Sequence, residues 1–227
     1  MHTEPQRPSA RATAWGGIAF AILYVAGVMT MFAGTPDDTN IDRPARYTAD
    51  WVKYYADSGN RTTALIGAYL LVAAGIAAVV FGAHLRERLG AAGAGGSGRI
   101  AFAGTIMLGT LTIVAAVAVA WIPGAVAFGD VPAPQGELAG FAAQLGFGAL
   151  LVGGGMTGAL VLMAAGIGSI RTGALPKWLA WAGIVVAVIV GALGAFFVPM
   201  LLLVLWMLVA GIVGLRRPFA GEAATAA

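Results

Sequence analysis

From Trp178 to Leu215 the chain carries no acidic or basic side chain, and this stretch constrains the fold more than any other. As a single helix it would be roughly 57 Å long, far more than the ~30 Å of hydrocarbon in a bilayer. It is therefore read as a hairpin of two spans, 178–196 and 199–215. Gly194 and Pro199 bracket the turn, because glycine relaxes the backbone and proline lacks a donor.

Four further apolar runs have spanning length, at about 14–33, 62–85, 100–122 and 141–168. The last lies within the longer apolar stretch Leu138–Ile170, so a tilt or bend is expected, with Gly153 to Gly155 as the bend point. Composition agrees: 59% hydrophobic and 10% charged residues, with a mean hydropathy of +0.87, lie outside soluble usage. The expected fold is an all-α, polytopic transmembrane helix bundle of six spans forming a single membrane domain.

Arg and Lys near span ends are retained on the cytoplasmic side. With the N-terminus inside, nine of the 13 basic residues are cytoplasmic: Arg7, Arg11, Arg86, Arg88, Arg99, Arg171, Lys177, Arg216 and Arg217. The expectation is a multi-pass protein of a bacterial cell membrane with both termini cytoplasmic. A cleaved signal peptide fits the first segment poorly, since the run exceeds the usual h-region and no small-x-small site follows it near Phe32-Ala33-Gly34. The segment 86–99, containing GAAGAGGSGR, reads as a flexible cytoplasmic linker.

The 34–61 segment is an outer loop in this topology, and it contains RYTADWVKYYADS, residues 46–58. At 100° per residue Tyr47, Trp51, Tyr54 and Tyr55 share one face, while Asp50, Lys53 and Asp57 share the other. This predicts a short extracytoplasmic amphipathic helix over about 48–58, started by Thr48 and ended by Gly59. Two roles are open to its aromatic face. It can anchor in the membrane interface, where Trp and Tyr concentrate, or it can serve as a lid or docking surface over the bundle.

Chemistry-bearing residues are sparse. No ionisable side chain lies mid-span, which disfavours proton relays, voltage sensing and charged filters. His2 and His84 are far apart, there is no cysteine, and none of the four serines sits in a nucleophile motif. His84 reads as an interfacial polar residue. Asp37, Asp38 and Asp42 could hold a cation through oxygen ligands, although PDDTNIDRP has the character of a solvated turn. Neither catalytic residues nor a cofactor or metal are expected, and the chain is not read as an enzyme.

The net charge of +3 and pI near 9.6 come from residues spread over short loops, which suits anchoring and not nucleic-acid binding. The uncharged polar residues inside the spans, notably Gln144 and Thr157, with Thr105, Thr110 and Thr112, are candidates for hydrogen bonds between helices. Gly154 and Gly158 form a small-xxx-small pair suited to helix packing. Trp15, Trp121, Trp178 and Trp181 fall at span ends as anchors, and Trp206 falls centrally.

Four motifs carry a resemblance: VKYYADSGNRT (52–62), LRERL (85–89), RTGALPKWLAWAG (171–183) and LLLVLWMLVAGIVGLRRP (201–218). In that order the chain resembles a group of six-span membrane proteins of unknown function from high-GC actinobacteria. The resemblance implies the six-span layout and supplies no catalytic or ligand residue. The expected role is that of a non-enzymatic interaction or membrane-organising protein. Its partners would be the lipid bilayer and a membrane protein or a second copy of the chain. The alternative is a carrier for a lipid or an apolar small molecule.

Overall fold

The computed structural model describes residues 10–36, 44–129, 136–194 and 196–216. Among these the elements are all helical: α1 (Ala10–Met31), α2 (Pro44–Ala56), α3 (Ser58–Ala91), α4 (Gly95–Phe128), α5 (Gly136–Phe147), a π-helical turn (Gly148–Gly153), α6 (Gly154–Thr172), α7 (Lys177–Leu193) and α8 (Phe197–Arg216). Five helices are long and apolar enough to cross a membrane, the fourth being α5 and α6 joined through the π-helical turn; α7, at 17 residues, is a shorter apolar helix.

Six helices close into a ring in chain order, α1 on α3, α3 on α4, α4 on α6, α6 on α7, α7 on α8, and α8 back on α1. Each neighbour runs antiparallel to the last. Gly155 of α6 meets Gly194 just past the end of α7, and Gly166 meets Ala180 and Ile184. Gly211 of α8 lies on Ala14 and Ile18, while Met207 lies on Gly17.

Small residues permit this closeness. A Cβ on Gly75 would stand 2.7 Å from the Gly109 carbonyl, and one on Gly109 would stand 2.6 Å from the Gly75 carbonyl, so α3 and α4 touch backbone to backbone. The interior is filled by Phe20, Phe81, Leu108, Leu203, Trp206 and Met207.

Several element boundaries differ from the sequence reading. The supposed flexible linker 86–99 is mostly helix. Only 92–94 interrupts it, a turn in which Gly93 takes φ +89° and the Ala94 amide donates to the Leu89 carbonyl at 2.7 Å. The alanines and glycines there continue α3 and α4 up to that turn, and of the glycines Gly98 alone packs across it, against the Arg86 carbonyl.

α4 also runs through the buried Pro123 and continues past the predicted end at 122. The irregularity expected at Gly153 to Gly155 is a π-helical turn at 148–153, which begins earlier and ends on Gly153. α7 ends at Leu193 and α8 begins at Phe197, and Pro199 lies in the first turn of α8, where no helical acceptor faces its nitrogen.

Candidate functional site

The short helix α2 exists, but its limits are Pro44–Ala56 and not 48–58. Proline suits a first helical position, which moves the start ahead of Thr48. Its end is set by the next helix. Asp57 accepts a hydrogen bond from the Asn60 amide at 2.8 Å and so caps the N-terminus of α3.

Arg61 Nη1 donates to the Tyr55 and Ala56 carbonyls, both at 2.8 Å, and Asn60 Nδ2 donates to the Tyr54 carbonyl at 3.2 Å. Three terminal carbonyls of α2 are thereby satisfied, and a cation stands at the negative end of its dipole. Gly59 is already inside α3.

The aromatic face of α2 packs on protein. Trp51, Tyr54 and Tyr55 are 2%, 4% and 1% exposed. Trp51 stacks on Tyr55 with ring centres 5.6 Å apart, and Tyr54 meets both edge-on at 5.7 and 5.1 Å. Beneath them lie Ile122 of α4 and the flat surface of Ala142 and Ala143 of α5, a cluster separate from the main core.

The Tyr54 hydroxyl reaches the Ala33 carbonyl at 3.4 Å, and beside it Phe32 stacks on Phe147 at 4.1 Å, tying the ends of α1 and α5 together. Burial raises the Tyr54 pKa above its ordinary value. The structure thus places Trp51, Tyr54 and Tyr55 in one cap over the bundle. Tyr47 belongs to α2, and its side chain lies outside the described residues, as do Asp37, Asp38 and Asp42.

Two kinds of hollow adjoin this end. On the polar side of α2 a hollow of about 730 Å³ is lined by Gly34, Pro36, Asp50, Lys53, Asp57 and Asn60. Between α3 and α4 an apolar groove of about 540 Å³ is walled by Leu65, Ala68, Val72, Ala116, Ala120 and Gly124, with Tyr69 and Trp121 at its rim. It opens toward the α2 end from the Gly75–Gly109 contact, where the small side chains of α4 leave the space between the helices unfilled. A second apolar groove, of about 480 Å³, lies between α1 and α8.

The threonine candidates donate within their own stretch of chain. Thr157 donates to the Gly153 carbonyl at 2.9 Å and the Gly154 carbonyl at 3.2 Å, Thr112 to Leu108 at 2.8 Å and Thr105 to Phe102 at 2.8 Å, all backward along the chain. Gln144 is exposed on α5. Gly158 faces Leu203 of α8, and Gly154 lies near Met200 and Leu108, so the pair packs within the chain.

His84, at the end of its span, faces the protein interior. It is 1% exposed where α1, α3 and α8 meet, with Nδ1 3.3 Å from Thr13 Oγ1, and a Cβ on Gly214 would stand 2.6 Å from its Nε2. Arg88 is buried too, its Nε donating to the Ala174 carbonyl at 2.7 Å and so fastening α3 to the turn between α6 and α7. Sequence reasoning missed both. The Asp57-x-x-Asn60-Arg61 spacing is the one signal that could have located the α2–α3 junction.

Among the described residues no group of three His, Asp or Glu side chains could hold a metal ion. No family model matches the chain, and no match was found among curated proteins or solved structures.

Proposed function

We propose that the chain is a six-span protein of a bacterial cell membrane, with both termini cytoplasmic and α2 on the opposite face, acting through contacts with lipid and membrane-protein partners and not through catalysis. The observation that carries this reading is the ring. Its interior is packed with side chains, whereas its apolar α3–α4 and α1–α8 grooves open sideways.

Support for α7 as the sixth span comes from its place between α6 and α8. It runs beside α6 from the Gly166–Ala180 contact to the Gly155–Gly194 contact, and its helix of roughly 25 Å comes close to hydrocarbon thickness. The six-span layout also agrees with the resemblance to actinobacterial six-span proteins.

The α3–α4 groove favours a second reading, a carrier for a lipid or an apolar solute. Proteoliposomes distinguish the two. The interaction reading predicts that fluorescent phospholipid crosses the bilayer at the protein-free rate and that no lipid is turned over. Protein-dependent flux supports the carrier instead, and turnover contradicts both.

A further inference from the structure

Arg61 stands one turn beyond Leu65 on the face of α3 that also bears Ala68 and Val72, the α3 wall of the apolar groove. Positions 61, 65, 68 and 72 form a single stripe, so the guanidinium-bearing residue heads the groove. The α4 wall from Ala116 to Ala125 is roughly 14 Å long, about half the hydrocarbon thickness and hence the depth of one leaflet.

Tyr69 and Trp121, 73% and 56% exposed, flank the opening with amphipathic rings. Arg61 itself is half-buried. Only its Nη1 is engaged, by the α2 carbonyls, which leaves the Nη2 and Nε donors of the fork without a partner among the described residues. Asp57, the nearest acid along α3, is held by the Asn60 amide.

A cationic residue at the head of an apolar, leaflet-deep groove suits an anionic headgroup joined to an acyl chain, and a phosphate can take two donors of one guanidinium. We infer that the α3–α4 groove holds an acyl chain of an anionic phospholipid from the leaflet at the α2 end, with the lipid phosphate on Arg61. The inference rests on the membrane-spanning reading above and adds to it a defined lipid site.

Native mass spectrometry of the full chain in detergent, titrated with phosphatidylglycerol and with phosphatidylcholine, tests it. The expected result is one tightly retained phosphatidylglycerol, favoured about fivefold over phosphatidylcholine. Arg61→Gln removes the preference. Ala120→Leu fills the groove from its lipid-facing side and weakens retention of both lipids, while helical circular dichroism is unchanged.

Equal retention of the two lipids by the parent and both variants overturns the inference. So does a photo-crosslinker at Val117 that captures a second copy of the chain in place of lipid. Failure of the six-span reading is seen separately, as labelling of both ends of α7 from one side of the membrane, an outcome independent of lipid retention at α3 and α4.

Discussion

At Gly109 a side chain has nowhere to go, because the nearest atom to an added Cβ is a backbone oxygen of α3, 2.6 Å away. Gly109→Leu is expected to destabilise the bundle by about 1–3 kcal/mol, the cost of overpacking a tight core. Gly90, also helical, has no atom within 4 Å of an added Cβ, so Gly90→Ala should be neutral or stabilising by up to about 1 kcal/mol. Thermal unfolding in a single detergent checks both, and equal effects at the two sites would contradict the packing.

Single residues were the least legible scale in the sequence. Thr157 and Thr112 could equally bond across helices or back along their own, and the choice depends on backbone distances that sequence does not contain. His84 reads as interfacial from its position at the end of a span. It is buried because Gly214, 130 positions later, leaves room for its ring.

Among the elements, α2 is too short to be stable alone, and its neighbours hold it in place. Replacing Asp57 by Ala removes the N-cap of α3 and should cost about 1 kcal/mol. Arg61→Gln frees the Tyr55 and Ala56 carbonyls; hydrogen exchange should then accelerate in α2 while α4 and α8 stay protected. Uniform acceleration would show that Arg61 supports the whole bundle and not this junction.

The Tyr54 phenol has a raised pKa in the fold, so its contribution is complete below the unfolded value of about 10 and declines as pH rises past it toward the folded value. A tyrosinate absorbance titration, taken as parent minus Tyr54→Phe, is predicted to have its midpoint above 10. A midpoint at the model-peptide value would contradict burial of the hydroxyl.

The helical character and aromatic face of α2 could be read from the spacing of Trp51, Tyr54 and Tyr55. What that face covers could not, because Ala142 and Ala143 come from a distant part of the chain and carry no recognisable signal.

For the whole molecule, the apolar segments and the 178–215 hairpin followed from hydropathy alone, since a bilayer demands runs of that length. The closure of α8 onto α1 did not. It depends on Gly17, Gly211 and Gly214 falling on facing sides of two helices at opposite ends of the sequence. Only an assembled bundle brings that pattern together.

The linker was misjudged for a related reason. Gly and Ala read as flexible chain in isolation, yet here they continue the long helices α3 and α4 on either side of the turn at 92–94.

The central claim is the alternating, six-span course of the ring, and the absence of cysteine in the chain makes it directly testable. Single cysteines at Ser58, Phe128 and Phe196 and at Ser97 and Gly173 would be probed in intact cells with a membrane-impermeant thiol reagent. The account predicts that the first three react from outside and that the last two react only after permeabilisation. Reaction of Gly173 and Phe196 from the same side would show that α7 does not cross, and would contradict it.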